Sequence, residues 1–145
     1  MPTALSKIAP FHLAAPIKDK AVVRQFYENI LGCSIGREAE NWIDINFFGH
    51  QLSFHVKPAA LESSEPKTQV DGKAVPVRHF GVILEWEDWN SLAERLKSTQ
   101  TEFVIEPYIR FEGKVGEQAT MFFLDPTGHA LEFKAFKNEV QIFAT

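Results

Sequence analysis

The chain has one cysteine, Cys33, in 145 residues. That rules out an intrachain disulfide. With no secretory pattern over Met1-Pro2-Thr3-Ala4-Leu5, a reducing cytoplasm is the expected setting. No cluster of basic residues stands out, and 15 Lys and Arg against 19 Asp and Glu leave a net charge of -4. Such a balance argues against a nucleic-acid partner. No apolar run approaches the roughly 20 residues that cross a bilayer as a helix, so no membrane association is expected. Nor is the chain depleted in core-forming residues: 45% are hydrophobic and 23% charged, ordinary for a globular protein. Thirteen Phe and three Trp supply a core or an apolar pocket. The length suits one domain over residues 1–145, or two small units sharing a core.

Most of the information lies in residues 121–136, MFFLDPTGHALEFKAF. Two apolar runs flank Asp125-Pro126-Thr127-Gly128. Proline presets φ for a turn and glycine accepts φ > 0, so the stretch reads as a β-hairpin. In its second strand Leu131 and Phe133 share one face and Glu132 points to the other. On a solvated face that carboxylate needs no explanation; on a concave, partly buried face it needs a partner or a metal. A weaker copy precedes it. Gly49-His50-Gln51-Leu52-Ser53-Phe54 aligns without gaps on Gly128-His129-Ala130-Leu131-Glu132-Phe133 at an offset of 79, with Ser53 in the place of Glu132. Phe11-His12 and His79-Phe80 repeat at an offset of 67, each ahead of a helical segment, and the excess of 12 fits an insertion in the second copy. Two similar units are therefore expected.

Taken in order, residues 8–14 read as a strand with Pro10 at its start or edge, and His12 opposite in direction to Phe11 and Leu13. Val22, Val23, Phe26, Tyr27 and Ile30 mark a helix from about 18 to 31, with Asp19 at its start and Gly32 at its stop. Short strands follow at 34–37, 42–48 and 51–57, giving β-α-β-β-β for a first module of about 8–57. Residues 58–76, with three Pro, two adjacent Ser and Asp71-Gly72, read as a linker or a flap. The second module, about 77–136, repeats the order. A strand at 77–84 leads to a helix marked by Asp88, Trp89, Leu92, Ala93 and Leu96. Strands at 102–109, 118–124 and 130–136 follow, with a polar loop at 110–116 holding the insertion. The last nine residues carry no clear pattern. The fold class expected is α+β.

Three residues fall on matched places: His12 and His79 on the two first strands, and Glu132 on the last. If the units pack as pseudo-symmetric copies, two imidazoles and one carboxylate meet, a ligand set for a divalent metal with open positions, typically non-haem Fe(II). Each residue taken singly has a plainer explanation. A histidine on an apolar strand is more often hydrogen-bonded than ligating, and Glu132 alone is an ordinary solvent-facing strand residue. The case rests on all three together.

The pattern resembles the vicinal oxygen chelate superfamily of glyoxalases, extradiol dioxygenases, fosfomycin-resistance thiol transferases and bleomycin-binding proteins. The resemblance covers residues 8 to 136, and its sharpest piece, FFLDPTGHALEF, is similar to the superfamily's closing hairpin with its metal-binding Glu. Residues 49–55, VRHFGVILEWEDW and EFVIEPYIRFEGKVGEQATMFF are most similar to proteins identified as extradiol dioxygenase-type. The resemblance implies paired βαβββ modules whose curled mixed sheet surrounds a metal, with helices outside, and His12, His79 and Glu132 as ligands. Four-ligand members such as glyoxalase I place an acidic ligand where this chain has Ser53. A serine hydroxyl is a poor ligand, so three ligands and an open face are expected. It also implies a small-molecule substrate and a homodimer by default, since superfamily members build the site within one chain or across two.

Among further candidates, His55 lies two residues beyond Ser53 on the same face, about 6–7 Å along the strand. Imidazole titrates near neutrality, so His55 could take a proton from a catechol hydroxyl, or it could simply end an exposed strand; a register slip would make it a ligand in place of Ser53. Tyr108 is a catalytic candidate near the inserted loop. Arg110, Lys134 and Ser53 are substrate-binding candidates, although Lys134 could equally reach solvent and loops carry such residues routinely. His50 and His129 flank turn glycines and read as structural, and Cys33 as buried and inert. The function expected is a metal-dependent, extradiol dioxygenase-like oxidoreductase acting on a small aromatic or vicinal-diol substrate, with Fe(II) favoured and Mn(II), Ni(II) or Zn(II) compatible. The alternatives are another metal-dependent reaction on the scaffold (lyase, isomerase or thiol transferase) and a metal-free binding or resistance protein.

Overall fold

The computed structural model describes residues 9–61 and 66–145. Ile8, placed in the first strand by the sequence, lies outside them. The chain divides into two units, residues 1–62 and 63–145.

In the first unit, β1 (His12–Ile17) leads into α1 (Lys20–Gln25), followed by a π turn (Phe26–Ile30), β2 (Ser34–Ala39), β3 (Trp42–Phe47) and β4 (His50–Val56). Asp19 caps α1, its Oδ1 accepting from the amides of Ala21 and Val22. The single expected helix thus widens into a π turn, where the Leu31 amide donates to the Phe26 carbonyl. Gly32 follows at φ 77, the left-handed stop that glycine permits. The sheet order is β1-β4-β3-β2, with β1 parallel to β4 and the other pairs antiparallel. β1 begins later and runs further than the reading of residues 8–14, carrying Pro16 inside it.

Residues 67–76 are a hairpin instead of a linker: β5 (Lys67–Val70) pairs with β6 (Lys73–Pro76). Asp71 at φ 49 and Gly72 at φ 81 form its turn, the two left-handed positions of a type I′ connection. Val75 is fully buried and packs with Ile105 and Phe122, and Val70, Val104 and Tyr108 pack against that cluster.

The rest of the second unit repeats the first. β7 (His79–Phe80) and β8 (Ile83–Leu84) both run parallel to β11 (Ala130–Ala135); α2 (Trp86–Ser98) follows, then β9 (Phe103–Arg110) and β10 (Gln118–Leu124). The order β7-β11-β10-β9 matches that of the first sheet. The expected strand at 77–84 is broken at Gly81, whose Cα lies so close to the Glu132 backbone that an added Cβ would overlap the Glu132 carbonyl oxygen. Along β9 a bulge at Glu106 and Pro107 shifts the register against β10 between Tyr108 and Ile105; Pro107, lacking an amide hydrogen, suits such a place. Trp89, Leu92, Ala93 and Leu96 of α2 are buried, and Trp89 Nε1 donates to the Phe133 carbonyl at 2.9 Å. The last residues include a 3₁₀ turn (Glu139–Phe143) capped by Asn138. No helix among the described residues is long and apolar enough to cross a membrane.

The β10–β11 connection is built on Asp125, which is 4% exposed. Its Oδ1 accepts from the amides of Thr127, Gly128 and His129 at 2.9 to 3.0 Å. Asp125→Ala would leave three amides without that acceptor. A loss of about 2–3 kcal/mol is expected, measurable by urea unfolding, because stranded donors cost more than the bonds contribute.

Candidate functional site

Strand alternation sorts each sheet into two faces. In the first unit Leu52, Phe54, Ile43, Ile45 and Ile17 are buried, and Tyr27 lies with its ring 5.2 Å from that of Phe54. The opposite face carries His12 and Ala14 on β1, Gln51, Ser53 and His55 on β4, and Trp42, Asp44 and Asn46 on β3, paired as His12↔Gln51, Ala14↔Ser53, Asp44↔Ser53 and Trp42↔His55. Ser53 is 9% exposed, and its hydroxyl donates to Asp44 Oδ1 at 2.7 Å. Gln51 Nε2 donates to Asp44 Oδ2 at 3.3 Å. Ser53 thus serves as a donor to a carboxylate. His12 and His55 are exposed. His50 has the structural role expected of it, its Nδ1 accepting from the Phe11 amide at 2.9 Å.

In the second unit the face turned away from α2 carries His79, Tyr108, Arg110, Gln118, Thr120, Phe122, Glu132 and Lys134. The pairings are His79↔Ala130, Glu132↔Phe122, Lys134↔Thr120, Thr120↔Tyr108 and Gln118↔Arg110. His79 Nδ1 donates to the Pro76 carbonyl at 2.9 Å, and the ring stands edge-on to Phe122 at 5.0 Å. A carbonyl only accepts, so Nδ1 holds the hydrogen and Nε2 keeps its lone pair in the neutral ring. Nε2 faces Glu132 Oε1 at 3.9 Å, too far for a hydrogen bond. The Glu132 side chain is 10% exposed. Its Oε2 accepts from Thr120 Oγ1 at 2.9 Å, and Lys134 Nζ lies 3.5 Å from Oε1.

Two lone-pair atoms turned toward one another in a half-buried place repel unless a cation stands between or beside them. Lys134 offsets part of the Glu132 charge, and a divalent metal suits the remaining donors, an imidazole nitrogen and a carboxylate oxygen. The histidine is also held as ligating histidines are, its other nitrogen donating to a backbone carbonyl. Within neither unit do three or more His, Cys, Asp or Glu gather among the described residues. The second unit brings together two of the three expected ligands, His79 and Glu132; His12 belongs to the first.

Arg110 is occupied: its Nε lies 2.8 Å from Asp71 Oδ2, off the line of a good hydrogen bond, and an Nη donates to Oδ1 at 3.3 Å. Tyr108 Oη is buried with no partner. Burial pushes the Cys33 thiol up to about 12, against a smaller opposing effect of a Phe48 backbone hydrogen bond. At neutral pH Cys33 is a thiol and not a nucleophile, in line with the sequence reading. Asp44, Gln118 and Thr120 were missed. The one signal for them was the pairing of polar residues across adjacent strands, legible only once the register was known.

The geometry agrees with the comparisons to known proteins. Residues 9–133 match the family model of the Glyoxalase/Bleomycin resistance protein/Dioxygenase superfamily. Comparison with curated protein sequences gives no match. Among solved structures, a glyoxalase/bleomycin resistance protein/dioxygenase from Alicyclobacillus acidocaldarius superposes with a TM-score of 0.76 at 29% identity, over 93% of this chain and 96% of that one. The genomically encoded fosfomycin resistance protein FosX of Listeria monocytogenes shares the fold at 16% identity and a TM-score of 0.65, over 96% of this chain and 100% of the other. So does a glyoxalase/dioxygenase from Nostoc punctiforme, at 17% identity and 0.64, over 94% and 100%. With most of its length matched by the family model and the βαβββ order present twice, the chain belongs to the glyoxalase/bleomycin resistance protein/dioxygenase superfamily.

Proposed function

We propose that the chain is a metal-dependent, dioxygenase-like enzyme acting on a small aromatic or vicinal-diol substrate, with His12, His79 and Glu132 as the ligands of one divalent cation, Fe(II) favoured. The observation that carries this reading is a coincidence of register. His12 stands opposite Gln51 and His79 opposite Ala130, and Gln51 and Ala130 are the residues that the 79-residue repeat aligns. The two histidines therefore hold the same position in two sheets of the same order, although nothing in their own spacing required it.

A bound divalent cation would supply Lewis acidity and open positions for two neighbouring substrate oxygens and, as Fe(II), for dioxygen. The residues of the chain do the rest. Thr120 holds Oε2 of Glu132, which leaves Oε1 turned toward His79. Pro76 fixes the His79 tautomer. Ser53 donates to Asp44, which favours three ligands over four and an open face for substrate. His55, exposed and on the face of Ser53, is the proposed base for a substrate hydroxyl. Phe122, against the His79 ring, supplies apolar wall.

The test is metal content by mass spectrometry on protein purified without chelator or nickel affinity, followed by oxygen uptake with catechol after anaerobic Fe(II) loading. About one Fe or Mn per chain, with catechol-dependent uptake, is expected. No metal as purified and none after loading would refute the enzyme reading in favour of a metal-free binding protein. Metal without oxygen uptake would move the assignment to a lyase, isomerase or transferase.

A further inference from the structure

We propose that Tyr108 and Gln118 form a polar subsite on the second sheet that recognises a neutral hydroxyl group on an otherwise apolar ligand. The inference deepens the proposed function by naming a second recognition group of its substrate.

It rests on two buried atoms that the protein leaves unused. Tyr108 Oη has no acceptor and Gln118 Oε1 has no donor, and both are buried. Gln118 is 8% exposed. Its amide orientation is not arbitrary. Nε2 donates to the Gly116 carbonyl at 3.1 Å, and turning the amide over would set two oxygens against each other. The unpartnered end is therefore the acceptor. Buried polar atoms are almost always hydrogen-bonded, and an unsatisfied one costs stability that a functional role can explain.

Placement joins the two. Tyr108 stands opposite Thr120, and Gln118, two residues before Thr120, stands opposite Arg110. Tyr108 and Gln118 are thus diagonal neighbours on one face, within reach of long side chains. The same face carries Glu132, joined to Thr120 by hydrogen bond. Ile105, Phe122 and Val75 form apolar packing against Tyr108, and the β5–β6 hairpin that contributes Val75 is tied to β9 by the ion pair of Asp71 with Arg110.

The chemistry of the two atoms selects the ligand group. The nearby charges are spoken for, Arg110 by Asp71 and Lys134 by Glu132. What remains is one neutral donor and one neutral acceptor amid apolar side chains. A carboxylate or phosphate would meet the lone pairs of Gln118 Oε1, and an ether could only accept. A hydroxyl accepts from Tyr108 and donates to Gln118.

The subsite lies within the second unit and needs no metal, so chelator-treated protein tests it apart from the metal reading. Phenol is titrated into isotopically labelled protein and followed by amide NMR shifts, with anisole, which cannot donate, as the control. The expected result is saturable binding of phenol, shifts at the Gln118 side-chain amide and residues 105 and 118–122, and at least a 5-fold preference over anisole. Gln118→Met should abolish the preference, and Tyr108→Phe, which removes the donor that both ligand oxygens can accept from, should weaken phenol and anisole alike. Tyr108→Phe, which removes only an unsatisfied hydroxyl, should leave the melting temperature unchanged or higher, and it keeps the test decisive if Gln118→Met fails to fold. Equal binding of phenol and anisole, no saturable phenol binding, or a clear fall in melting temperature for Tyr108→Phe would each overturn the proposal.

Discussion

Gly81→Ala is expected to destabilise the chain by about 4 kcal/mol or more, and to separate His79 from Glu132. The reason is a backbone contact and not glycine's freedom of φ. Between β7 and β8 the chain runs against β11 so closely that a Cβ on residue 81 would overlap the Glu132 carbonyl oxygen and carbon and crowd its amide nitrogen. Backbone atoms of a central strand cannot turn aside as a flexible side chain can. β11 is held on its other side by six registered pairs with β10, from Ala119↔Ala135 to Leu124↔Ala130. The element that yields is therefore the short one, the two-residue strands β7 and β8. Moving them breaks the pairings His79↔Ala130 and Lys134↔Ile83 and the hydrogen bond from the Lys134 amide to the Val82 carbonyl. Overpacking of a well-ordered interior commonly costs about 1–3 kcal/mol, and a clash with fixed backbone exceeds that range. Urea unfolding gives the stability, and the bound metal per chain after Fe(II) loading gives the displacement of His79. A variant within about 1 kcal/mol of wild type would show that β7 shifts without loss and that the close approach is incidental.

Gly81 also shows where sequence patterning stops. Residues 77–84 carry an alternation that predicts one strand, yet the structure has two short strands with a break between them. Periodicity reports which faces are apolar; it does not report how close another backbone comes. Elsewhere the pattern sufficed. β10 spans the residues the alternation marked, because Met121 and Phe123 on one side and the turn at Asp125 leave little freedom. The buried face of α2 is the stripe Trp89, Leu92, Ala93 and Leu96. The β5–β6 hairpin was hidden by composition: Pro, Ser and charge over 58–76 suggest a linker, although Asp71-Gly72 is among the strongest short hairpin signals. The π turn after α1 was hidden for a different reason, since the apolar stripe through Phe26 and Tyr27 looks the same whether the last turn is α or π. At the site, His79 and Glu132 were legible as candidates because each holds a matched place in a duplicated unit, His79 where the first copy has His12 and Glu132 where it has Ser53. Gln118, Thr120 and Asp44 were not, because a lone polar residue in a strand reads as a solvated one until its cross-strand neighbour is known. Arg110 was legible as a cation but not as one already neutralised by Asp71.

Glu132→Gln is expected to weaken metal binding by more than about 100-fold while leaving the metal-free protein as stable as wild type, or more so. Changes to groups that merely orient a ligand already cost about 10- to 100-fold, and loss of a charged ligand exceeds that. The substitution keeps the shape of the side chain and an oxygen able to accept from Thr120, at present 2.9 Å from Oε2. It removes the negative charge from a side chain that is 10% exposed. In the metal-free protein the only cation within 4 Å of that carboxylate, among the described residues, is Lys134, one-third exposed and able to turn to water once the charge is gone; His79 adds another only when protonated. Burying a carboxylate costs several kcal/mol before compensation, and a single partly exposed lysine returns little of it. A purely structural Glu132 would instead tie down β11, and its loss would destabilise by about 1–3 kcal/mol. The two accounts differ in sign. Thermal melts of wild type and Glu132→Gln in chelator, beside the same melts with one equivalent of metal, separate them. Ligation gives equal or higher melting temperatures for the variant in chelator, and a metal-induced rise in the wild type alone. A variant that melts lower in chelator, and responds to metal as the wild type does, would place Glu132 among the structural residues and leave the register match of His12 and His79 without a metal to explain it.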